Sequence, residues 1–267
     1  MATRELKPGV FWVGAVDGER RNFDELFPIS GGTTYNCYLV RGRRATALID
    51  TVDEGFSGQL FDHLDQLGVS SVDYVVVNHA EQDHSGSLPE VLERFPEARA
   101  LATPLCKELL LELLEVPEER VGTLDDGEAL SLGDRTLRAV HFPWVHWPET
   151  MLTYLPEERV LFSCDLFGSH LATHDVLRSD DPRIPQELKR YYACIMMPYR
   201  RVIRGNLGKV SELELDLIAP SHGPVVTEPR RMVETYERWL SDTPANVAAI
   251  PYVSMHGSTW LMAVSYT

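Results

Sequence analysis

Val75-Val76-Val77-Asn78-His79-Ala80-Glu81-Gln82-Asp83-His84-Ser85-Gly86 is an apolar strand that runs directly into four ligand-type side chains. His79, Glu81 and Asp83 alternate as the chain leaves the strand, and His84 follows Asp83 at once, so the segment offers ligands in two diverging directions. Two directions suit two metal ions. The plain alternative is a polar turn capping a helix that begins near Ser85, with Asp83 or Ser85 as the N-cap. Four such residues packed behind a buried strand are more than one cap needs, and the metal reading is preferred.

Three further residues of ligand type follow apolar runs: His146 in His141-Phe-Pro-Trp-Val-His146-Trp-Pro, Asp165 in Leu-Phe-Ser-Cys-Asp165, and His222 in Ala-Pro-Ser-His222-Gly. Each alone reads as a turn or a satisfied core residue. Together with the first cluster they tip the balance toward a metal centre. The order His-x-Glu-x-Asp-His, His, Asp, then His in a Ser-His-Gly turn resembles that of the flavodiiron proteins. Tyr35-Asn36, Leu48-Ile49-Asp50-Thr51, His146-Trp147-Pro148-Glu149-Thr150-Met151, Asp165-Leu-Phe-Gly-Ser-His170 and Tyr191-Tyr192-Ala193 add to the likeness, which runs from about Pro8 onward.

The resemblance implies an α+β fold, a four-layer αββα sandwich of metallo-β-lactamase type. It also implies two Fe ions with an oxo or hydroxo bridge. By it, His79, Glu81 and His146 hold one iron, Asp83, His84 and His222 hold the other, and Asp165 bridges them. Zinc hydrolases of the same fold family carry a histidine where this chain has Glu81. Three carboxylates and four imidazoles without thiolate suit iron and ease the ferric state, so redox chemistry is expected over hydrolysis.

Around these residues, Asp50 is expected to hydrogen-bond a ligand histidine; its ordinary role is that of a turn carboxylate before Asp53. Trp147 and Tyr192 are expected to wall the pocket, although aromatic residues usually serve the core. His170 has support from the resemblance, and His174 has none. Asp24 stands where many family members have a histidine near the substrate, which bears on the choice between dioxygen and nitric oxide. His63 and His141 are read as background.

The chain has 267 residues, 44% hydrophobic and 24% charged, enough for one large domain with a buried core. A net charge of -15 without a concentrated basic face argues against nucleic acid. The basic group Arg200, Arg201, Arg204 and Lys209 reads as a solvated helix face, with an acidic redox partner as the alternative. No apolar run spans a bilayer and the first residues are no signal peptide, so a cytoplasmic protein is expected. Cys37, Cys106, Cys164 and Cys194 are scattered and read as reduced thiols.

In chain order, an antiparallel start (Val10 to Gly14, then Thr33 to Val40 against Ala45 to Asp50) is followed by alternating strands and helices. A helix is predicted over Phe56 to Leu67, closed by Gly68. Others are predicted around Leu88 to Phe95 and over Pro104 to Leu114. Arg120 to Phe162 reads as a second antiparallel sheet, Asp181 to Ile203 as helix broken at Pro198, and Pro229 to Leu240 as a last helix. Residues 1–245 form the metal domain in this reading.

Residues 246–267 look like the start of a flavodoxin-like domain. Val247 to Val253 reads as its first strand, and Ser254, His256, Gly257, Ser258 and Thr259 as a remnant FMN phosphate loop. His256 by itself belongs to the background. A flavodoxin fold needs on the order of a hundred further residues, so FMN is not expected to be held by this chain.

The expected function is reduction of dioxygen to water, or of nitric oxide, with electrons from an external flavoprotein or rubredoxin-type donor. The alternative is an oxygen-binding diiron sensor that acts on a signalling partner. Resemblance also implies a homodimer, and no nucleic-acid or membrane partner is expected.

Overall fold

Alternation along the strands sorts the apolar side chains between two faces. In Thr46–Ile49, Ala47 and Ile49 join one buried cluster and Leu48 another; in Val160–Cys164, Val160 and Phe162 turn inward while Leu161 turns outward. A computed structural model describes residues 3–23, 26–173, 175–178, 180–243, 247 and 249–265. Its seven-stranded sheet runs, in spatial order, Arg4–Lys7, Val10–Trp12, Tyr38–Arg41, Thr46–Ile49, Tyr74–Val76, Arg99–Ala102 and Val121–Thr123. The first four strands pair antiparallel and the rest join in parallel. A five-stranded sheet follows, Ala129–Ser131, Thr136–His141, Met151–Leu155, Val160–Cys164 and Leu217–Pro220, with only the last strand parallel to its neighbour.

The helices are α1 (Ser57–Gln66), α2 (Gln82–Ser85), α3 (Leu88–Arg94), α4 (Pro104–Leu113), α5 (Ile184–Tyr191), α6 (Arg200–Ser211), α7 (Pro229–Leu240) and α8 (Ser258–Val264). Leu60, Leu64, Val91, Leu92 and Leu110 of α1, α3 and α4 pack on the outer face of the larger sheet. Leu188, Ile203, Leu207, Val233 and Tyr236 of α5, α6 and α7 pack on the outer face of the smaller. Trp12, Tyr38, Ile49, Phe162 and Ala219 fill the space between the sheets. Each sheet thus buries both faces, and the result is the expected αββα sandwich.

Local signals account for the helix ends. Thr103 accepts the backbone N–H of Cys106 and Pro104 opens α4, while Gly68, at φ +64°, lets the chain turn away after α1.

Three expectations need correction, and the plain alternative for the ligand stretch also fails. Thr33–Tyr35 does not extend the predicted hairpin but pairs with Ala15–Asp17 in a separate two-stranded ribbon. Val121–Thr123 adds to the first sheet rather than the second, because its parallel partner Arg99–Ala102 offers an open edge. The ligand stretch is no simple cap before Ser85, since Gln82–Ser85 is itself a helical turn. The described part of Val247 to Val253 forms no strand, and the helix Ser258–Val264 starts within the predicted loop, taking in its last two residues Ser258 and Thr259. The proposed division at 245/246 and the residues Asp24 and His174 lie outside the described residues.

Among the described residues no helix is long and apolar enough to cross a membrane. All four cysteines are free, and Arg200 and Arg204 of the basic group both pair with Asp242.

Candidate metal centre

Strand ends of both sheets meet at one point. His79 follows Tyr74–Val76 of the larger sheet, while His146, Asp165 and His222 follow strands of the smaller one. Ligand-capable atoms of His79, Glu81, His146 and Asp165 lie within 4.8 Å of one another, as do those of Asp83, His84 and His222.

Asp165 joins the two groups. Its Oδ2 lies 3.3 Å from His146 Nε2 and 3.6 Å from His79 Nε2, and its Oδ1 lies 3.3 Å from His84 Nε2 and 3.4 Å from His222 Nε2. Glu81 Oε2 completes the first group at 3.1 Å from His79 Nε2 and 3.2 Å from His146 Nε2. Asp83 completes the second, with Oδ1 3.4 Å from His84 Nε2 and Oδ2 3.0 Å from His222 Nε2.

The donor set fits a pair of cations. Both oxygens of Asp83 and Nε2 of His222 are buried without a hydrogen-bond partner, for all their closeness. Bare acceptors facing a ring nitrogen in a dry pocket are costly unless a cation lies between them. Oxygen and imidazole donors without a thiolate suit iron, manganese or zinc. Cys164 lies near His84 and Asp165, but burial drives its thiol well above the usual range.

Other groups aim these ligands. Glu149 Oε1 accepts from His79 Nδ1 at 2.6 Å and from the backbone N–H of Ala80 at 3.0 Å, leaving His79 Nε2 toward the centre. Thr34 O accepts from His222 Nδ1 at 2.7 Å to the same effect. Asn36 Nδ2 donates to Pro220 O and Gly223 O and so pins the His222 turn. Gly223 sits at φ +78°, where a Cβ would come 2.2 Å from Ser169 Oγ, so only glycine fits that turn. Asp50, Trp144, Cys164 and Phe167 also hold positive φ, and these strained backbones flank the ligands.

Asp50 does not hydrogen-bond a ligand histidine. Its carboxylate accepts the backbone N–H of Asn78 at 2.7 Å and the Asn78 amide at 3.2 Å, anchoring the residue before His79. Burial raises its carboxyl to about 6, against the pull of His84 and of the Asn78 N–H. Trp147 does wall the centre, edge-on to His79 at 5.0 Å between ring centroids.

Tyr192 turns away, packing on Tyr236 and Trp239 and donating to Trp239 O. Its neighbour Tyr191, the last residue of α5, donates instead to Asp165 Oδ1 at 2.8 Å, just before the chain enters a π-helical turn at Tyr192–Met196. A Tyr-Tyr pair in sequence does not disclose which ring turns inward. Glu149 carried a stronger signal, lying three residues beyond His146 and next to a buried strand.

His170 is buried, its Nδ1 3.0 Å from Thr33 Oγ1 and its Nε2 without a partner. Phe23 lies over it at 4.0 Å between centroids and also meets His222 at 5.4 Å. His63 and His141 bond to backbone oxygens away from the centre. His256, Ser258 and Met255 are exposed, and Ser254, Gly257 and Thr259 partly so.

In the metal-free chain the centre holds protons. Burial alone would lower His146 and His222, but Asp165 and Glu81 raise the first to about 9, and Asp165 and Asp83 raise the second to about 10. A metal takes neutral imidazole, so loading at pH 7 is expected to release at least the protons of His146 and His222, with affinity rising as the pH rises. An indicator dye in weakly buffered solution measures this; loading without proton release contradicts the charge state. The same imidazolium groups stabilise the metal-free fold fully below about 6.5, the unfolded value. That contribution is lost as pH rises through about 9 to 10.

Comparison with known proteins adds to this geometry. A family described as ODP family beta lactamase matches residues 33–223. The chain is 37% identical to the coenzyme F420H(2) oxidase of Methanothermobacter marburgensis, over 98% of this chain and 67% of that protein. It is 39% identical to the nitric oxide reductase of Moorella thermoacetica, over 97% of this chain and 66% of that one. The flavodiiron protein of Giardia intestinalis superposes with a TM-score of 0.84 at 31% identity, over 90% of this chain and 59% of that one. The chain spans 59% to 67% of the length of these proteins.

Proposed function

This chain belongs to the flavodiiron family, and from that membership we propose that its metal centre holds two irons and reduces dioxygen or nitric oxide with electrons from an outside donor. His79, Glu81 and His146 are assigned to one iron, Asp83, His84 and His222 to the other, and Asp165 to both. The observation that carries the reading is Asp165, each of whose carboxylate oxygens faces one group of ligands. Two irons bound there supply the redox couple that dioxygen or nitric oxide requires.

The chain's own groups set the conditions for that chemistry. Glu149 and Thr34 O fix the imidazole tautomers of His79 and His222. Tyr191 holds a proton on its hydroxyl and donates it to Asp165 Oδ1. Trp147 and Phe23 cover the histidines and limit water. Glu81, with a fifth of its side chain exposed, is the most open of the ligands and marks the mouth of the centre.

A flavoprotein or rubredoxin-type protein is the proposed donor. A homodimer is the proposed assembly, and the exposed Trp260, Leu261 and Met262 are suited to cover by a neighbour. The test is metal analysis and gas consumption together. Protein loaded anaerobically with ferrous iron is expected to hold two irons per chain and to consume dioxygen or nitric oxide steadily when a flavoprotein reductase and rubredoxin are supplied. Uptake as fast in metal-free protein removes the irons from the reaction; iron-loaded protein that fails to turn over with either gas rejects the reductase reading.

A further inference from the structure

On the side of the centre away from Glu81 lies a narrow cleft lined by Phe27, Ile29, Cys194, Ile195, His170 and Tyr191. Glu187 and Arg190 stand at its sides, yet the wall turned inward is almost wholly apolar. Pro28 and Arg190 are exposed at its outer end, whereas Ile29 and Ile195 are buried within. Its inner end is two rings, His170 and Tyr191, set edge to face at 4.8 Å between centroids. Behind them lies the centre itself: Tyr191 donates to Asp165 Oδ1, and the His170 ring lies 5.2 Å from that of His222. His170 Nε2, buried and without a partner, is free to meet a molecule arriving there.

Resting on the functional reading above, we propose that this cleft is the route by which the neutral diatomic substrate reaches the metal centre, with His170 and Tyr191 as its inner gate. A diatomic gas needs no hydrogen bonds and partitions into apolar space, whereas the mouth beside Glu81 and His146 is walled by charge. The cavity is about 10 Å³, room for a single water-sized molecule. Passage therefore depends on ring and rotamer motion at the gate. Cys194, within the π-helical turn that follows Tyr191, forms part of the wall.

Two measurements test the route. Krypton pressed into crystals of the metal-free protein and located by anomalous scattering is expected between Ile29, Cys194 and His170; krypton found only elsewhere overturns the proposal. In iron-loaded, reduced protein, Cys194→Trp is expected to slow nitric oxide association about tenfold in stopped flow. Azide, an anion that would use the charged mouth, is expected to bind the oxidised protein at its usual rate. A folded, fully loaded variant with unchanged nitric oxide association overturns the proposal, as does equal slowing of azide. If Cys194→Trp does not fold, Phe27→Trp narrows the outer end at a half-buried position and is read the same way. A protein that binds no iron, or does not react with nitric oxide, defeats the functional reading, while the krypton position still decides the cleft.

Discussion

Replacing Asp165 with alanine is expected to empty both halves of the metal centre, from two irons per chain to none, and to lower gas consumption to that of metal-free protein. Asp165 Oδ2 faces His146 and His79, and Oδ1 faces His84 and His222, so one truncation strips an oxygen from each group. The loss is compounded by charge, because Asp165 is buried and its carboxyl is held far below the usual range, against burial, by His84, His146 and His222. Without it, cationic imidazoles face one another in a dry pocket. Asp165→Asn separates ligation from folding: the amide keeps one acceptor oxygen, so at most one iron should remain. Iron analysis beside a melting curve reads both effects. Full iron in a folded Asp165→Ala protein excludes the shared-ligand role.

Glu149→Ala is expected to weaken metal binding about 10- to 100-fold while leaving every proposed ligand in place. The Glu149 carboxylate accepts from His79 Nδ1 and Ala80 N, and it is itself buried. Removal frees His79 to place its proton on Nε2, the atom that must be bare. Glu149→Gln retains an acceptor oxygen but not the charge and should fall between. Competition against a chromophoric chelator at fixed pH gives the ratio. Equal affinity of wild-type and Glu149→Ala protein for the metal rules out the orienting role.

The ligand cluster was legible in the sequence because strand ends announce themselves: Val75 to Val77, the run before Asp165 and the run before His222 are apolar, and each ends one or two residues before a side chain of ligand type. Their convergence became visible only through resemblance, since spacing along the chain does not say which strand ends meet. What failed was side-chain direction. Tyr192 and Asp50 were plausible neighbours of the centre, but Tyr191 at the end of α5 takes the inward position, and the short strand Tyr74–Val76 puts Asn78, not a histidine, within reach of Asp50. The edge position of Val121–Thr123 was equally hidden, because parallel pairing depends on a partner that is remote in the chain.

The division of the ligands between the two sheets bears on how the protein is made. His79, Glu81, Asp83 and His84 leave the ribosome early, and His222 follows only about 140 residues later, on the order of ten seconds at ordinary rates of synthesis. Through that interval His146 and then Asp165 join the first four, but the group around Asp83 and His84 stays open until His222 arrives. Tight metal capture thus waits for the closing strand, Leu217–Pro220, to dock beside Val160–Cys164. A chain stalled or clipped before that strand lacks His222, so the group that His222 forms with Asp83 and His84 stays open on one side.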